Sequence, residues 1–120
     1  MAIENNTAHL LVQEIEEKQL LVELIGQVNK DFILAGLPFR LAEKAGVMEV
    51  VSELRSILFK MMTHNFGDYL NLLYRVDVSE NKIKSLKEID PEKIANAVTQ
   101  MVLEREWQKV WLKNKSRLRD

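Results

Sequence analysis

The chain has 120 residues, 17 Lys and Arg against 18 Asp and Glu, a formal net charge of −1, two His and no Cys. At 47% hydrophobic and 29% charged it is rich enough in apolar residues to leave the disordered class, and its length suits one domain over residues 1–120. The absence of cysteine excludes a disulfide framework, thiolate zinc, iron–sulfur clusters and cysteine nucleophiles.

Met1 to Asn6 carries neither the basic nor the apolar region of a secretory signal, and no apolar run reaches spanning length. The expectation is a soluble, cytoplasmic protein. Apolar residues recur at helical spacing between the glycines and prolines, so the fold class expected is all-α, a small bundle of two long and several short helices.

In chain order, Asn6 or Thr7 caps a first helix with a stripe through Leu11, Ile15, Leu21, Leu24, Ile25, Val28 and Phe32, ended by Gly36 and Pro38. Lys18 interrupts that stripe. Gly26 is expected to mark a close helix contact, and the broad apolar stretch Leu20–Ile25 to pack from more than one side. Pro38 can open a second helix whose stripe falls out of register at Gly46; from Val47 to His64 the pattern is the most regular in the chain.

Asn65 with Asp68 three residues later begins a short helix through Leu70, Leu73 and Tyr74. Two further starts, Ser79 and Asp90, each have an apolar residue before the cap and another at the staple position, Val78 with Ile83 and Ile89 with Ile94. Pro91 strengthens the second, and the last helix is predicted from Pro91 to about Lys115, its stripe running through Ile94, Val98, Met101, Val102, Trp107, Val110 and Trp111. No repeat of solenoid length is present.

Chemistry-bearing patterns are sparse. His9 and His64 are the only imidazoles, and neither Ser52 nor Ser56 stands on a nucleophile elbow, so no catalytic residue is assigned and the protein is read as not an enzyme. Asp77, Ser79, Asn81 and Glu88 fall at calcium-loop positions, but Lys82 occupies the glycine position and Lys84 and Lys87 oppose a cation, so no metal is assigned. No glycine pair has nucleotide-binding spacing, and no cofactor is expected.

The C-terminal helix carries Arg105, Lys109, Lys113 and Arg117 at steps of four, beside Trp107 and Trp111. That combination offers a binding surface for phosphates and stacked bases, or for an anionic membrane, although the total charge opposes a dedicated nucleic-acid binder. Between Arg105 and Arg119 there are six basic residues and one acidic, leaving 11 basic and 17 acidic elsewhere. Such a dipolar chain also suits association with its own copies. Among Met48, Met61, Met62 and Met101, Met62 lies one step off its helix's core stripe and is the interface candidate.

The blocks Leu70–Glu80 and Glu104–Trp111 resemble a pattern in small, functionally uncharacterised bacterial proteins, in which a Leu-Tyr-Arg-hydrophobic-Asp block precedes a helix with Arg-Glu-hydrophobic-Gln-Lys. The resemblance covers about the second half of the chain and implies no activity. It suggests that Tyr74, Arg75 and Asp77 form a structural joint with the last helix, Asp77 accepting from Arg75 or Arg105 and capping the next helix, and Tyr74 packing on Trp107. The expected function is non-catalytic, through protein contacts, with a homodimer burying the Leu20–Ile25 surplus. Nucleic-acid or anionic-surface binding is the alternative.

Overall fold

A computed structural model describes the backbone of residues 2–119 and the side chains of residues 10–115. Its described residues form six helices: α1 (Ala2–Lys18), α2 (Leu21–Leu34), α3 (Val47–His64), α4 (Phe66–Val76), α5 (Glu80–Lys84) and α6 (Pro91–Arg119). The class is all-α. With 29 residues α6 is about 43 Å long, close to the 44 Å long axis of the molecule, and the other principal helices pack around it.

The first long helix expected from the sequence is two helices. Gln19 turns left-handed (φ 55°), its N–H donating to the Glu16 carbonyl at 3.3 Å, and Leu24 begins the new ladder by donating to Leu20 at 2.9 Å. Phase explains the break. Ile15 and Leu24 are both fully buried, yet nine positions on one continuous helix would set them about half a turn apart. The break turns α2 so that Leu24, Ile25, Val28 and Phe32 enter the same core as Leu11 and Ile15. The helix also begins before Asn6 and Thr7, which lie within it rather than capping it.

α2 ends in a Schellman turn. Gly36 takes φ 73°, and Leu37 N–H reaches back to the Phe32 carbonyl at 2.9 Å. The segment from 37 to 46 is irregular, not the helix that Pro38 suggested. Its backbone is claimed by side chains instead: Asn29 Oδ1 accepts from Leu41 N–H at 2.7 Å while Asn29 Nδ2 donates to the Leu41 carbonyl at 3.0 Å. Asn71 Nδ2 donates to the Ala35 carbonyl at 2.8 Å. Leu37, Leu41 and Ala45 are buried, so their spacing of four seals the core from a loop.

α3 has the boundaries its pattern predicted, and Val47, Val50, Leu54, Leu58 and Met61 are buried. Asn65 caps α4 by accepting from Asp68 N–H at 3.4 Å. α4 closes on Asp77, a left-handed residue (φ 73°), with Val78 N–H donating to the Leu73 carbonyl at 3.0 Å. Ser79 occupies the cap position of α5 without a side-chain hydrogen bond. Glu92 N–H donates to Asp90 Oδ1 at 3.0 Å at the start of α6, but Ile89 is exposed, so the second staple does not form. Val78 and Ile83 are both partly buried against the core.

No helix among the described residues is long and apolar enough to cross a membrane.

Candidate functional site

Most inward positions of α2 and α6 are apolar, and the two buried carboxyls come together at one ammonium. Asp31 follows Val28 by three positions and precedes Phe32, so helical spacing places it on the buried face of α2. Glu106 stands midway between Val102 and Val110 at steps of four, and is 0% exposed. Lys109, one turn further on, extends its ammonium between them: Nζ lies 3.0 Å from Asp31 Oδ2 and 3.2 Å from Glu106 Oε1. Gln27 Nε2 donates to Asp31 Oδ2 at 3.3 Å from the preceding turn of α2.

The two carboxyls are unequally served. Asp31 receives Lys109 and Gln27, whereas neither oxygen of Glu106 has a hydrogen-bond partner in proper alignment. The Lys109 ammonium approaches Glu106 Oε1 without that alignment. Burial pushes the Glu106 carboxyl up to about 9, aided by the neighbouring Asp31 carboxyl, whose negative charge disfavours a second one; Lys109 pulls the other way and loses.

This geometry dismantles the basic stripe. Arg105, Lys109 and Lys113 do not share one environment, because each meets different neighbours along α6. Arg105 Nη2 pairs with Asp77 Oδ2 at 3.3 Å, Lys109 enters the α2–α6 seam, and Lys113 is exposed beside a shallow cleft of about 170 Å³ shared with Glu23, Gly26 and Lys30. The side chain of Arg117 lies outside the described residues, as does that of His9. Trp107 is 5% exposed and stacks on Trp111 with ring centroids 6.4 Å apart, and Lys18 Nζ lies 5.2 Å from the Trp111 ring centroid. Both indoles are engaged within the chain, Trp107 buried and Trp111 partly covered.

At the α4–α5 corner, Asp77 meets Arg105 and not the cap of α5. Arg75 is exposed. Tyr74 is 80% exposed and therefore does not pack on Trp107. It extends a line begun by Phe66 and Leu70, at steps of four along the outer side of α4, all three exposed. Beside that line opens a groove of about 370 Å³ walled by Met62, Phe66, Tyr69, Leu70, Ile83 and Ile94, with Thr63 and Glu88 as its polar lining.

The Leu20–Ile25 surplus is absorbed by the chain itself. Leu24 and Ile25 are fully buried, Leu20 and Leu21 partly so, and Val22 alone is left open at 69%. Gly26 is likewise no contact point, since a Cβ there would have no neighbour within 4 Å.

His64 is exposed at the end of α3, and the described residues contain no group of three His, Asp or Glu side chains arranged to hold a metal ion. Of the calcium-loop positions, Asn81 lies inside α5, and Glu88 Oε1 accepts from Ile89 and Asp90 N–H at 3.1 and 3.2 Å.

Asp31, Glu106 and Gln27 did not emerge from the sequence as site residues. Their signal is nonetheless present: a carboxylate occupies an apolar-stripe position in each of two helices, with a lysine one turn from one of them. No family model, curated protein or solved structure matches the chain.

Proposed function

We propose that this chain is a non-catalytic cytoplasmic protein that acts through protein contacts and associates with a second copy of itself through the outer face of α4. The observation that carries this reading is the exposed line Phe66, Leu70 and Tyr74 beside the apolar groove. A ridge and an adjacent groove on one face suit an isologous two-fold, in which each copy's ridge enters the other's groove. Covering a large apolar side chain contributes about 1.5–3 kcal/mol, and three per copy give such a contact its centre.

The sealed Asp31–Glu106–Lys109 cluster supports the non-catalytic part, because its carboxyls are covered on all sides by the chain. Nucleic-acid binding has less support, since Arg105 and Lys109 are paired and Trp107 is buried.

Sedimentation at tens of micromolar tests the reading. The expected species has twice the 14.0 kDa chain mass, and Leu70→Lys restores the single-chain mass while leaving helix content unchanged. A wild-type protein that sediments only as the single chain overturns the self-association.

A further inference from the structure

Counting charge in the α2–α6 seam gives two carboxyls and one ammonium. The carboxyls are walled off and the ammonium is partly covered: the Asp31 side chain is 4% exposed, that of Glu106 0% and that of Lys109 21%. With both carboxyls ionised, the cluster would hold one uncompensated negative charge in the core, at several kcal/mol of desolvation. With one proton it is neutral, and that proton supplies what the geometry lacks, a donor for a Glu106 carboxyl whose oxygens have no partner.

Among the described residues the surroundings offer no other charge to balance it. From α3 the inward residues are Val47, Val50, Leu54, Leu58 and Met61; Glu49, Glu53, Arg55, Lys60 and His64 point to solvent. α1 contributes Leu11 and Ile15 to the core, while its Lys18 sits over Trp111. α4 contributes Leu72, Leu73, Val76 and Tyr69, whose phenol burial also raises and keeps neutral. On α2, Glu23 and Lys30 are exposed and Gln27 is uncharged; on α6, Glu104 is bonded by Gln100, Arg105 is committed to Asp77, and Lys113 is exposed.

We infer that Asp31, Glu106 and Lys109 form a proton-binding site in which the two carboxyls share one proton above a single ammonium, so that folding takes up a proton at neutral pH. Glu106 is the proton's main holder and Asp31 its acceptor, and the bound proton fastens α2 to α6. Unfolding exposes both carboxyls to water, where each is ionised at pH 7, and returns the proton to solvent.

The sign follows. Between the ordinary carboxylate range and the alkaline range where the folded cluster loses its proton, the native state binds one more proton than the unfolded state. Its folding constant therefore falls about tenfold per pH unit as pH rises through that window.

Carbon-13 NMR of the labelled wild-type protein tests the proposal directly, through the side-chain carboxyl resonances of Asp31 and Glu106. The expected result at pH 7 is one proton across the pair, carried mainly by Glu106, with deprotonation only in the alkaline range. Two fully ionised carboxyls at pH 7 overturn it. Denaturant titrations of wild type and Glu106→Gln at several pH values give a second readout, because Gln supplies a permanent N–H donor of similar shape. The wild type should show the tenfold-per-unit slope in excess of the variant between about pH 5.5 and 8, and parallel profiles overturn the proposal. If the variant does not fold, the wild-type resonances still decide.

Discussion

Lys109 Nζ and Asp31 Oδ2 meet at 3.0 Å across 78 positions of sequence, and this contact fastens the last helix to the second. A buried ion pair of this kind adds little over a well-packed apolar substitute, but removing one partner strands the other. Lys109→Met should therefore cost about 3–5 kcal/mol in denaturant unfolding, much of it restored by adding Asp31→Asn. A single variant within about 0.5 kcal/mol of wild type would mean that the pair carries no such penalty.

Stability should fall as pH rises over the neutral range. The Glu106 carboxyl is raised in the folded state, to about 9, so its contribution is complete below the unfolded carboxylate range and disappears as pH climbs through 9. The slope from this group is about −1.4 kcal/mol per pH unit between those limits. Tyr69 acts in the same direction at higher pH, because burial raises its phenol and the folded protein resists its ionisation. Urea midpoints from pH 5 upward measure both; a midpoint that rises between pH 6 and 8 contradicts the first.

Gly26 should be improvable. It lies inside α2, its missing Cβ would meet nothing within 4 Å, and it needs no left-handed backbone. Gly26→Ala is expected to stabilise by about 0.5–1 kcal/mol through helix propensity and unfolded-state entropy, read as a higher melting temperature.

Asp77 tests backbone against side chain. It closes α4 in the left-handed region and also pairs with Arg105, but its carboxylate is 78% exposed, which makes the ion pair weak. The conformation should dominate. Asp77→Gly is expected to be neutral or stabilising despite losing the pair, and Asp77→Val to cost about 1–2 kcal/mol. If Gly were as damaging as Val, the Arg105 contact would be the larger effect.

What could be read from the sequence was local. α3 carries its own unbroken stripe, Asn65 and Asp68 form the first turn of α4, and Asp90–Pro91 marks the start of α6 within a few residues. Each signal is complete within its own helix or cap.

The break at Gln19 was hidden because it serves the rotation of α2 toward a core built from distant helices, and Lys18 in the stripe was its only local trace. The 37–46 segment misled for a related reason. Its buried residues repeat every four positions, as in a helix, while Asn29 and Asn71 on other elements hold the backbone at Leu41 and Ala35 in a loop. The basic stripe was broken up by partners on other elements: Asp77 takes Arg105, and Asp31, distant in sequence, takes Lys109.

The α3–Asn65–α4 junction and the α2–α6 seam also differ in when they can form. Two helices joined through one residue meet after closing almost no loop, whereas Asp31 cannot find Lys109 until the intervening chain has been gathered. If the seam assembles after the rate-limiting barrier, Lys109→Met speeds unfolding and leaves refolding nearly unchanged, while Leu58→Ala in α3 slows refolding; stopped-flow chevrons separate the two. The seam would then act as the latch that sets the lifetime of the native state, with little influence on how fast that state is reached.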